Sequence, residues 1–74
     1  MENVKWAIYN TETGEYLAEI FIKREGQYIA QGTNWSKQED EAIGFEFAEA
    51  CATMQFIKNV IDWEQAEDLI VCKL

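Results

Sequence analysis

Hydrophobic and polar positions alternate from Val4 to Asn10, with Trp6 and Ile8 on one side and Lys5, Ala7 and Tyr9 on the other. A period of two residues is the pattern of a strand. Thr11-Glu12-Thr13-Gly14 follows as a turn, and Gly14 stands where a positive φ is often needed. Glu15 to Lys23 reads as a second strand, with Tyr16, Ala18, Ile20 and Ile22 sharing one face and Leu17, Glu19, Phe21 and Lys23 the other. Arg24-Glu25-Gly26 makes the next turn. Gln27 to Gln31 then forms a third strand, placing Tyr28 and Ala30 opposite Ile29. Three short strands joined by short turns predict an antiparallel meander.

The period changes in the second half of the chain. Gly32 to Ser36 reads as a loop, and Ser36-Lys37-Gln38-Glu39 has the form of a capping box opening a short helical turn that Gly44 stops. From Glu46 to Ile61 the residues Phe47, Ala50, Cys51, Met54, Ile57 and Ile61 follow the i, i+3, i+4 spacing of a buried helical stripe. Glu46 and Glu49 near its start and Lys58 near its end suit the helix dipole. A second ridge, Ala48, Ala52, Phe56 and Val60, lies away from that stripe. A helix apolar on two sides is either sandwiched, here by Trp35 or Trp63, or presents a contact surface. Asp62 to Asp68 is a polar connection. Asp68 to Leu74 reads as a closing strand with Ile70, Cys72 and Leu74 toward the helix, and a continued helix through Trp63, Ala66 and Ile70 is the alternative. The expected fold is α+β: a three- to four-stranded antiparallel sheet in the order β-β-β-α-β, with one main helix packed on one face and the other face partly open.

Length and composition make this one domain spanning residues 1–74, since 74 residues suffice for one hydrophobic core and not two. Stability on the order of 4–11 kcal/mol is expected for a chain of this size. Hydrophobic residues at 49% exclude wholesale disorder, despite a net charge of −8 from 14 acidic and 6 basic residues. Such charge repels phosphate backbones, which argues against direct nucleic-acid binding and for a basic protein partner or simple solubility. Cys51 and Cys72 each lie in an apolar run and read as buried free thiols. Met1 to Lys5 has none of the features of a signal peptide, and no apolar run is long enough to span a membrane, so a cytoplasmic protein is expected.

Candidate chemistry is sparse. Histidine is absent, which removes the commonest general base and metal ligand. The four glycines are isolated, so no phosphate-binding loop is present, and two distant cysteines make no zinc site. The acidic groups Glu39-Asp40-Glu41 and Asp62, Glu64, Glu67 and Asp68 read as solvated carboxylates. No catalytic residue, cofactor or metal ligand is expected. Aromatic residues beside carboxylates suit a protein interface with a polar rim.

One resemblance adds to this reading. The hairpin Ile8-Tyr9-Asn10-Thr11-Glu12-Thr13-Gly14-Glu15-Tyr16-Leu17, the pair Trp35-Ser36, Glu41-Ala42 with Phe45, and Glu49-Ala50 near a helix start together resemble small phage and prophage accessory proteins. The resemblance covers roughly residues 6 to 52, and the chain departs from the pattern at Phe47, where a capping Ser or Thr is usual. It implies an accessory protein of a virus or mobile element, acting in the host cytoplasm. Acidic proteins of that kind often inhibit host proteins, some by arranging carboxylates like DNA phosphates, and anti-CRISPR inhibitors are one such class.

The expected function is therefore a non-enzymatic, acidic protein-binding module, a phage-type inhibitor or modulator of a host protein that handles nucleic acid or serves defence. Its expected contacts are Trp35, Glu39, Asp40, Glu41, Trp63, Glu64, Glu67 and Asp68, with the tryptophans as aromatic anchors. A homodimer built on the ridge Ala48, Ala52, Phe56 and Val60, or on a sheet edge, is the second reading. Sequestration of a small ligand in an aromatic pocket is the third.

Overall fold

A computed structural model describes residues 4–61 and 67–74, and for residues 22, 28–30 and 61 the backbone alone. Strands β1 (Trp6–Asn10), β2 (Glu15–Glu25) and β3 (Tyr28–Ser36) come first, followed by a 3-10 turn at Glu39–Glu41. Helix α1 (Phe47–Phe56) continues into a π-helical turn (Ile57–Ile61), and β4 (Leu69–Lys73) ends the fold. The sheet order is β3-β2-β1-β4 and every pairing is antiparallel. This is the α+β architecture the sequence predicts, with the closing segment a strand and not a continued helix.

The first turn is built by its own side chains. Asn10, only 3% exposed, accepts hydrogen bonds at Oδ1 from the backbone N–H groups of Glu12 (2.9 Å) and Thr13 (3.1 Å). Gly14 closes the turn at φ +74°, a conformation in which a Cβ costs about 1–2 kcal/mol. In the longer β2–β3 hairpin the ring of Phe21 lies over its cross-strand partner Gly32, where an added Cβ would stand 2.7 Å from Cζ. That aromatic cover lets β3 run straight through Gly32 to Ser36. The loop expected at residues 32–36 is thus part of the strand.

A β-bulge decides the core. Leu17 pairs with Trp35 while Glu19 pairs with Asn34, so β2 holds one extra residue at Ala18. An extra residue reverses the facing of everything beyond it. Leu17 and Ile20 therefore face the same way, where simple alternation sets them on opposite faces. The fully buried Ile8, Leu17 and Ile57 join Leu69 (4% exposed) in the core, with Ile20, Trp35, Ile43, Phe45 and Met54 packed around them. Facing is also reversed in β4. Asn10 pairs with Leu69 and Ile8 with Val71, which brings Leu69 and Val71 to the core face and leaves Ile70 44% exposed.

The sheet splits between β1 and β2. These strands pair at Tyr9–Tyr16 and Asn10–Glu15. Nearer the start of β1 a returning segment takes the place of β2: Trp6 and Phe45 exchange two backbone hydrogen bonds (2.8 and 2.9 Å), and Ile43 N–H donates to the Leu17 carbonyl (3.0 Å). Beyond Leu17, β2 pairs with β3 alone, as a long arm. An eleven-residue strand spans roughly 37 Å at its ordinary rise, and the molecule measures 43 × 29 × 20 Å. The Gln31 side chain ties the arm to the helical layer by donating to the Val60 carbonyl at 3.3 Å.

Helix α1 has no side-chain cap, since Glu46 at its N-cap position makes none. The expected capping box upstream does not form either. Ser36 stays in β3, where its Oγ accepts from Gln38 N–H (3.1 Å) and donates to Glu41 Oε1 (3.0 Å). Of the expected helical stripe, Ala50 and Ile57 are fully buried and Met54 packs on the core. Phe47 is 54% exposed and stands edge-on to Trp6, with ring centroids 4.9 Å apart.

Candidate functional site

The sheet face opposite the helix carries the most distinctive grouping. Cross-strand pairing places Ile70, Tyr9 and Tyr16 in one row, with Ala7 and Cys72 in the next. The rings of Tyr9 and Tyr16 lie 4.8 Å apart at a 53° tilt, a geometry favourable for aromatic pairs. Both tyrosines are half-buried and Ile70 is exposed. The floor is thus apolar and only partly covered.

Carboxylates surround this floor. Between Ser36 and the sheet crossing at Ile43–Phe45, the 3-10 turn exposes Glu39, Asp40 and Glu41. Burial pushes the Cys72 thiol up from its ordinary value, and the charge of Glu39 pushes it further. Tyr16 is likewise raised, first by burial and then by Glu39, Cys72 and Tyr9. Glu39 therefore lies close to both residues, and Cys72 is held as a neutral thiol at neutral pH. Glu39 and Asp40 face Lys5 across an open depression of about 690 Å³ that Gln38, Ala42, Gly44 and Leu74 complete.

A second acidic group sits where the β1–β2 turn meets the start of β4. Thr11 donates twice to the Asp68 carbonyl, from its N–H (2.8 Å) and its Oγ1 (3.0 Å). That contact brings the Glu12 and Asp68 carboxyl groups together. The Glu12 carboxyl lies above its usual 4.5 because it hydrogen-bonds Asp68, because the two charges repel, and through slight desolvation. Glu15 and the exposed Glu67 lie at the same end of the sheet.

The expected contacts separate accordingly. Glu39, Asp40, Glu41 and Glu67 are exposed and Asp68 is half-buried. Trp63 and Glu64 lie outside the described residues. Trp35 is half-buried: it packs against the core beside Leu17, and its Nε1 donates to Thr33 Oγ1 at 2.9 Å. Its ring thus supports the fold. The Tyr9–Tyr16 pair is the aromatic feature that residue-by-residue reading misses, although two tyrosines flanking one tight turn were a usable signal, since a hairpin brings such positions opposite each other.

The ridge Ala48, Ala52, Phe56 and Val60 is not covered by Trp35. Ala48 and Ala52 are exposed, Val60 is 49% exposed and Phe56 is half-buried. Among the described residues no helix is long and apolar enough to cross a membrane, and no group of three or more Cys, Asp or Glu side chains converges to hold a metal ion. Compared with protein-family models, curated proteins and solved structures, the chain matches none.

Proposed function

We propose that this chain is a non-enzymatic binding protein that presents its acidic, tyrosine-floored face to a basic surface of a partner protein. The observation that carries the reading is the position of Glu39 beside the Tyr9–Tyr16–Cys72 floor, with exposed Asp40 and Glu41 on the same turn. An apolar centre with a charged rim suits protein recognition, because the centre contributes burial while the rim steers encounter and selects charge. A partner that normally grips nucleic acid fits best, since carboxylates spaced along a surface can stand in for phosphates. The resemblance to small phage proteins makes an inhibitor of a host nucleic-acid-handling or defence protein the favoured role, acting by occlusion.

The test is affinity capture from a bacterial lysate with the tagged chain, alongside a variant in which Glu39, Asp40 and Glu41 are replaced by lysine. One stoichiometric basic protein, retained at low salt, released at high salt and lost with the variant, is the expected result. Capture that the variant leaves unchanged removes this face from consideration.

A further inference from the structure

We infer that the Tyr9–Tyr16 pair, edged by the carboxylates of Glu39 and Glu41, is a subsite for one arginine side chain of a protein partner. This rests on the acidic face as the partner-binding surface and names the side chain that face receives. Strand pairing sets Ile70, Tyr9, Tyr16 and Ser36 side by side in one row across the sheet. Ile8 and Leu17, their neighbours in the chain, are buried toward the helix, so the row points away from it. The two tyrosine rings lie 4.8 Å apart with a 53° tilt and form one aromatic surface that stays partly exposed. The Tyr9 hydroxyl reaches the first turn, where a Cβ on Gly14 would stand 3.6 Å from it. The surface therefore begins at that turn and ends beside Ser36.

A carboxylate is held at the Ser36 end. Ser36 is the cross-strand partner of Tyr16, one strand spacing of about 4.8 Å away. Its Oγ donates to Glu41 Oε1 at 3.0 Å and accepts from Gln38 N–H at 3.1 Å, which ties the acidic 3-10 turn to the tyrosine row. A carboxylate offers about four acceptor positions, so the bond from Ser36 leaves capacity for incoming N–H groups. Glu39, on the same turn, is close enough for its charge to raise both Tyr16 and Cys72, after the larger effect of burial. Lys5 shares this face, but its stem lies against Gly44, where an added Cβ would stand 3.2 Å from Lys5 Cβ. Lys5 precedes Tyr9 by four positions, about 13 Å along a strand, which keeps its ammonium off the rings. A guanidinium fits this site better than an ammonium does. It is planar and weakly hydrated, so it can lie on an aromatic face while its edge N–H groups reach a carboxylate. An ammonium is a hydrated point charge that takes the attraction of the carboxylates and keeps its water over the rings.

Two peptides of equal charge test this, an acetylated pentalysine amide and its counterpart with arginine at the centre, each titrated into the isotope-labelled full chain and followed by NMR. The arginine peptide should bind about two- to fivefold more tightly, the increment of one partly exposed cation–ring contact. It should shift the amide signals of Tyr9, Tyr16, Ser36 and Glu41. Tyr16→Leu, which keeps the floor apolar, should abolish the preference for arginine. Ser36→Ala, which releases Glu41, should reduce it, and this variant carries the test where circular dichroism shows that Tyr16→Leu disturbs the fold. Equal affinities for the native chain, or a preference that survives both variants, overturn the arginine subsite while the acidic face stands. Binding of both peptides that is undiminished when Glu39, Asp40 and Glu41 are replaced by lysine overturns the face and the subsite together.

Discussion

Glu12 and Asp68 meet because Thr11 binds the Asp68 carbonyl, so backbone pairing forces two carboxyl groups together at the edge of the first turn. The folded Glu12 carboxyl lies above its ordinary 4.5, for the hydrogen bond to Asp68 first and the charge of Asp68 second. A carboxyl raised on folding holds its proton more tightly in the native chain. Its stabilising contribution is complete below the unfolded value near 4.5 and is lost as pH rises through the folded value. In Asp68→Asn the amide donates to Glu12 and one charge is gone. The fall in stability with rising pH over this window should therefore be shallower than in the native chain. Urea unfolding at a series of pH values around 4.5 checks it, and identical slopes for the two proteins would show that the pair is uncoupled. Leu17 is governed in the same way by its surroundings. Its neighbours Tyr16 and Ala18 are also apolar, and the bulge at Ala18 is what sends Leu17 and Ile20 to the same side.

Helix α1 and its π-helical extension owe their place to packing, since no side-chain cap supports the start. Two contacts hold the element. Ala50 and Ile57 are fully buried against the sheet, and Phe45 at the entry is stitched to Trp6 by two backbone hydrogen bonds. A π-helical turn is wider than an α-turn and leaves carbonyl groups poorly paired within the helix. Here the Val60 carbonyl is taken by Gln31 of the arm. Removal of the Ile57 side chain down to Cβ should cost about 2–5 kcal/mol, the range for burying a cavity where Ile stood. Against a total on the order of 4–11 kcal/mol, Ile57→Ala should be marginally folded at room temperature. Chemical denaturation reads this directly, and a loss below about 1 kcal/mol would mean that the helix end is not part of the cooperative core.

Charge across the molecule is uneven. Glu12, Glu15, Glu67 and Asp68 gather at the β1–β2 turn, and Glu39, Asp40 and Glu41 lie on the nearby 3-10 turn. Lys23 and Arg24 sit far along the β2–β3 arm. Crowded like charges oppose the compact state, and salt screens them within a Debye length of about 10 Å at 0.1 M. Thermal stability should therefore rise with sodium chloride, measured at low protein concentration so that self-association does not contribute. A melting temperature that falls with salt would show that attractive pairs outweigh the repulsion. The acidic face looks away from the helix, and an open groove lies between helix and arm.

Periodicity by itself determined the class of fold, the order of the elements and the single helix. A pattern of period two or 3.6 is a local property that each segment carries in its own residues. Composition determined the acidic balance, and spacing along the helix exposed the Ala48–Val60 ridge as a second apolar side. Tertiary structure alone decided which side of each strand is buried. One bulged residue reverses a face, and the pairing of Asn10 with Leu69 sets the facing of β4 through contacts distant in sequence. It also drew Trp35 into the core, carried β3 through Gly32 under the Phe21 ring, and assembled Tyr9, Tyr16, Cys72 and Glu39 from three strands and a turn. Such groupings depend on register and on the splitting of the sheet, and register is a relation between segments that no one segment contains.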